Sequence, residues 1–178
     1  MSTWTPGTES VARRVTRGAL LGALAIILPL GAHAAGVSGV MLLPMHLPVL
    51  IGGFLLDPVT ALLVAVVAPV VNFLITGMPP LQPPILIVML FELAGYALTA
   101  SLLTRHTRWR VEVILLLSML AGRLLLAAAV AGVAPLFGWP VHAWGYVSGA
   151  VVTGLPGLLL QFILIPPIVR AVRDGNST

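Results

Sequence analysis

The chain has 178 residues, 59% of them hydrophobic and only 8% charged, with a mean hydropathy of +1.10. Soluble domains carry about 25% charged residues, so the composition excludes a soluble globule and implies an integral membrane protein built as one compact domain. All nine basic residues are arginines beside apolar segments, and there is no cysteine; this excludes disulfides and thiol chemistry and offers no solvated basic face for nucleic acid.

In chain order, residues 1–11 read as a polar, disordered tail, 12–173 as a single membrane domain, and 174–178 as a second tail. Arg13, Arg14 and Arg17 precede the apolar run Gly18 to Pro29, and Ala32-His33-Ala34 follows, which imitates a secretory signal. The rest of the chain is equally apolar, so this stretch reads as a first membrane helix, Val15 to Ala34. A short linker, Ala35 to Val40, leads to a second segment, Met41 to Leu56, broken by Pro44 and Pro48 and ended by Asp57-Pro58. The third segment is Val59 to Thr76 and carries Pro69 and Asn72. The turn Thr76-Gly77-Met78-Pro79-Pro80 separates it from the fourth, Pro84 to Leu103, with proline placed where a helix starts. The fifth is Val111 to Val133. A loop, Ala134 to Gly145, bears Trp139, His142 and Trp144, and the sixth segment, Tyr146 to Val172, is interrupted by Pro156 and Pro166-Pro167. Most segments approach the roughly 20 residues that span hydrocarbon. The predicted fold class is therefore an all-α six-helix membrane bundle, and no internal repeat marks an inverted-repeat carrier.

Six spans put both termini on one side, and eight of the nine arginines then share that side while the opposite loops hold none. The positive-inside rule makes that side cytoplasmic. Trp139, Trp144 and Tyr146 fall where an outer aromatic belt belongs.

The ninth arginine, Arg123, lies within the fifth segment, and Glu92 lies within the fourth. Glu92 is about 12 Å below the outer start of its helix and Arg123 about 18 Å above the inner start of its own. In a core about 30 Å thick these depths coincide on adjacent antiparallel helices. A lone charge there is expensive, so a partner is expected. The pair is either a helix-locking ion pair or a substrate site in which Arg123 meets a carboxylate and Glu92 orients it or takes a hydroxyl. Asn72 sits about one turn below the outer end of the third segment, at a pocket's height, as a ligand group or an interhelical hydrogen bond. Tyr96 shares a face with Glu92 one turn deeper. His46, between two prolines, and Trp144, in a loop able to lie over a flat ligand, complete the candidate substrate residues. Gln161 reads as structural, and His33 and His106 as surface residues.

Catalysis has little support: no H-E-x-x-H, G-x-S-x-G or phosphate-loop motif occurs, and no metal or cofactor is expected. In the first segment, Gly18 and Gly22, and Ala19 and Ala23, form a stripe of small residues. Such a stripe permits close helix packing in lipid, either within the bundle or against another membrane subunit.

Several motifs together resemble the substrate-binding S components of energy-coupling factor (ECF) vitamin transporters, over about Ala12 to Val172. They are Ala19-x-x-x-Ala23, Met45-His46-Leu47-Pro48-Val49-Leu50, Thr76-Gly77-Met78-Pro79-Pro80, Met89-Leu90-Phe91-Glu92-Leu93 and Met119-Leu120-Ala121-Gly122-Arg123-Leu124. The similarity is to the broad branch that includes pantothenate and cobalamin binders. It implies a six-helix bundle in a prokaryotic cell membrane that binds a small water-soluble vitamin, with pantothenate the best guess, near its outer face. It further implies partners, a coupling transmembrane subunit docked on Ala19 and Ala23 and two ATPase subunits, and a capping role for the loop Ala35 to Val40. A standalone proton-coupled carrier or channel using Glu92 is the alternative.

Overall fold

A computed structural model of the chain describes residues 10–36 and 39–175; the expected tails at 1–9 and 176–178, and Ser38 of the expected capping loop, lie outside the described residues. Seven α-helices follow one another: α1 (Val11–Ala34), α2 (Gly39–Leu42), α3 (His46–Leu55), α4 (Pro58–Thr76), α5 (Ile85–His106), α6 (Val111–Val133) and α7 (Ala143–Gly175), with a 3-10 turn at Pro135–Phe137. No strand occurs among the described residues. Five of these helices are long and apolar enough to cross a membrane, and α3 is a shorter apolar helix.

The helix boundaries follow local chemistry. Helix α1 starts four residues earlier than the apolar pattern suggests because Ser10 caps it, its hydroxyl oxygen accepting from the Arg13 N–H. Asp57 caps α4, accepting from the Thr60 N–H at 3.1 Å and the Thr60 hydroxyl at 2.6 Å, while Pro58 takes the first helical position. Partial burial pushes the Asp57 carboxyl up, but the Thr60 bonds and the Arg14 guanidinium outweigh it and hold the group below the usual carboxylate range. Gly77 ends α4 in the left-handed conformation, at φ 71°, which glycine adopts without strain.

The second expected segment is not one helix. It divides into α2 and α3 at Leu43-Pro44-Met45, where Leu43 has φ 49° and Pro44 has no N–H to give. The break is held from α7: Gly157 lies so close to Leu42 that an added Cβ would stand 2.6 Å from the Leu42 carbonyl. Helix α7 also departs from expectation, running through Pro156, Pro166 and Pro167 without interruption. Prolines persist in membrane helices where neighbours and small local adjustments satisfy the freed carbonyls. The same helix begins at Ala143, so Trp144 lies on its first turn and not in a loop.

Helix α3 is the centre of the bundle. Nine of its ten residues are buried, and it packs on α5, α1, α4 and α7. Phe54, Leu50 and Val49 join Leu93, Tyr96 and Ala97 of α5 in the main core. Helix α5 in turn makes its most extensive contact with α6. The starts of α1, α4 and α6 meet the ends of α3, α5 and α7 at one end of the bundle. There Arg14 lies 3.7 Å from Asp57, Ser101 donates to the Leu56 carbonyl at 2.9 Å, Arg173 donates to the Phe54 carbonyl at 3.3 Å and Arg170 pairs with Glu112. The arginine-bearing ends thus gather together, and the other end is left to open into a cavity.

Candidate functional site

A cavity of about 680 Å³ is sunk into the end of the bundle opposite these arginines. Its mouth is formed by the end of α1 (Pro29, Leu30, His33), the end of α4 with the following turn (Thr76, Met78, Pro79, Pro80) and the start of α7 (Gly145, Tyr146, Gly149, Thr153). Its deeper wall carries Met45, Val88, Met89 and Leu126, and four polar residues: His46, Asn72, Glu92 and Arg123. The turn after α4 is shaped by Thr76, whose hydroxyl donates to the Asn72 carbonyl at 2.7 Å and accepts from the Met78 N–H at 3.1 Å.

The expected pairing of Glu92 with Arg123 is present. Arg123 Nη1 stands 2.8 Å from Glu92 Oε1, with only 11% and 6% of the two side chains exposed. Tyr96, wholly buried beneath the cavity, donates its hydroxyl to the same Oε1 at 2.8 Å. Glu92 Oε2 stands 3.7 Å from His46 Nε2, beyond hydrogen-bonding distance. The His46 ring tilts against Tyr96 with centroids 5.6 Å apart. Both His46 nitrogens, and Arg123 Nε and Nη2, are buried without a hydrogen-bond partner. Buried polar groups in native proteins are almost always satisfied. All four nitrogens belong to residues that line the cavity.

Close helix approach sets this geometry. Gly95 of α5 and Gly122 of α6 meet so tightly that a Cβ on Gly95 would lie 3.0 Å from Gly122 Cα. A Cβ on Gly122 would enter the Tyr96 ring and lie 2.9 Å from the Glu92 carbonyl. Gly122→Ala should therefore destabilise the protein by about 1–3 kcal/mol, the usual cost of overpacking, and lower its melting temperature in detergent. An unchanged melting temperature would mean that the two helices are not in this contact.

The other expected site residues divide. Asn72 lines the cavity, but its amide donates to the Ala68 carbonyl at 3.0 Å and to the Ala25 carbonyl of α1 at 3.3 Å, so it also ties α4 to α1. Tyr96 does not line the cavity and reaches the site through Glu92 and the His46 ring. Trp144 is 82% exposed and does not line the cavity: on the first turn of α7 its side chain points away, and the small face of that turn, Gly145 and Gly149, points in. Gln161 is fully buried and reaches the Leu43 carbonyl at 3.5 Å, in keeping with a structural part. His33, expected at the surface, is exposed but at the cavity mouth. Sequence reasoning passed over Tyr146 and Thr153, although their seven-residue spacing, with Gly149 between, marks one helix face.

The small-residue stripe of α1 divides as well. Gly18 faces inward, where an added Cβ would stand 2.9 Å from the Thr60 methyl, so Gly18 belongs to packing within the bundle and not to a docking face. Ala19 and Ala23 are exposed, and Gly22 is half-buried with open space before it.

Several apolar helices of membrane-spanning length around a deep, polar-floored cavity define a multi-pass membrane protein with a candidate small-molecule site at one end. The family model for the ECF transporter substrate-specific component matches residues 13–169, and the chain belongs to that family. It is thus a substrate-specific subunit of an ECF importer. No curated protein and no solved structure matches it.

Proposed function

We propose that this subunit captures a small water-soluble vitamin, best represented by pantothenate, in the cavity between α1, α4, α5, α6 and α7. The observation that carries the reading is the cavity itself. Its volume of about 680 Å³ lies within the 300–1,000 Å³ of ordinary small-molecule sites, and its floor presents unsatisfied nitrogens of His46 and Arg123. A corrinoid would need a larger and wetter cavity. Helix α3, with the break before it, counts as a sixth span, and both termini lie in the cytoplasm with the arginine-rich end; the cavity then opens outward, in the cell membrane of a prokaryote. The exposed Ala19 and Ala23, with Gly22, form the face on which a coupling membrane subunit docks. ATP is hydrolysed on two partner subunits, and this chain is not an enzyme.

Native mass spectrometry of the purified protein tests the substrate. A single co-purifying vitamin of pantothenate's mass is the expected result. A corrinoid in its place, or a protein that binds none of the water-soluble vitamins when they are added, would overturn the assignment.

A further inference from the structure

The floor of the cavity already pairs its carboxylate with a guanidinium. Glu92 and Arg123 are the charged pair lining it among the described residues, and they face each other at 2.8 Å. Glu92 Oε1 accepts from both Arg123 Nη1 and the Tyr96 hydroxyl, while Glu92 Oε2 faces His46 Nε2 at 3.7 Å, beyond hydrogen-bonding distance. Arg123 Nε and Nη2 are buried donors without a hydrogen-bond partner. A ligand carboxylate placed on those donors would share one guanidinium with Glu92. That would set two negative charges about one positive in apolar surroundings, where repulsion between them is poorly screened. A neutral carbonyl satisfies the same nitrogens without that repulsion, and a hydroxyl or N–H next to it satisfies Glu92 Oε2. His46, whose nitrogens have no hydrogen-bond partner and whose Nε2 stands 3.7 Å from Glu92 Oε2, adds one further donor or acceptor to such a group.

We propose that the Glu92–Arg123 floor recognises an uncharged group offering a hydrogen-bond acceptor and a donor side by side. The hydroxy-amide end of pantothenate is such a group. The vitamin's carboxylate then stays at the mouth, hydrated, beside the exposed Thr76 and His33. This rests on the vitamin reading above and reverses the orientation expected from the sequence, in which Arg123 takes the carboxylate.

The test is equilibrium binding to the full chain in nanodiscs, with three probes. They are pantothenate, pantothenol (an alcohol in place of the acid) and an N-acyl-β-alanine that keeps the acid but lacks both hydroxyls. Pantothenol should bind within about threefold of pantothenate. The hydroxyl-free acid should bind about 10- to 100-fold more weakly, as expected for lost hydrogen bonds to a charged group. The opposite order, with pantothenol lost and the hydroxyl-free acid retained, overturns the inference. The sign of the Glu92→Gln effect is a second readout. An uncharged group on the floor binds this variant more weakly, whereas a carboxylate, relieved of its repulsion, binds it more tightly. If neither pantothenate nor pantothenol binds, the pantothenate assignment fails by itself. The same comparison then passes to the vitamin that co-purifies: an uncharged vitamin, or an acidic one whose amide binds as well, supports the inference, and loss of binding on converting its acid to the amide overturns it.

Discussion

Arg123→Ala should weaken vitamin binding by about 2–5 kcal/mol, the range for truncating one partner of a buried, hydrogen-bonded charge pair. Two losses combine. The ligand forfeits the donors Nε and Nη2, and Glu92, 6% exposed, is left in the membrane without its cation. Glu92→Gln should weaken binding less, because the glutamine keeps a carbonyl acceptor toward the cavity and removes no donor. The double variant separates the two roles of the pair. Melting temperature should fall in each single variant and recover in part when both charges are removed, since an unpaired buried charge is worse than none. Binding should not recover, because the ligand's partners stay absent. Isothermal titration and thermal melting on the same preparations read both quantities. An Arg123→Ala protein that folds and binds as the parent does would place the ligand elsewhere, toward Asn72 and the Tyr146–Thr153 face.

Replacing Ala19 and Ala23 together by leucine should abolish vitamin uptake in cells while leaving the affinity of the isolated subunit nearly unchanged. Both residues are exposed on α1, and neither lines the cavity. The longer side chains would hold a docking helix away from α1 and forfeit the close packing that small residues permit. Gly18→Leu is the contrasting variant. It would drive a side chain into Thr60 and should damage folding itself. Uptake that survives the alanine replacements, or uptake and binding lost in equal measure, would show that the coupling subunit does not dock on this face.

The sequence by itself determined the class of protein, the positions of the long helices and the pairing at the site. Each of these rests on information local to the chain or on simple arithmetic along it. Apolar runs of membrane length, the break at Asp57-Pro58 and the arginine asymmetry are all read from neighbours in sequence, whereas the Ser10 cap, which starts α1 four residues ahead of the apolar run, was not. The depths of Glu92 and Arg123 follow from counting residues at a fixed rise per residue, and the ion pair at 2.8 Å lies where that count puts it. The Ala19 and Gly18 stripe, by contrast, has two readings because spacing cannot say which face of a helix turns inward. Only packing against Thr60 separates Gly18 from its exposed neighbours. The break at Leu43 needed Gly157 and Gln161, more than a hundred residues away, to hold it. Trp144 was misplaced for the same kind of reason: α7 begins three positions before Tyr146, at Ala143, and that register turns Gly145 and Gly149 to the cavity and the tryptophan outward. Tertiary structure alone decided which oxygen of Glu92 and which nitrogens of Arg123 are left for a ligand, because that depends on Tyr96 rising beneath the carboxylate where Gly95 and Gly122 let α5 and α6 close together.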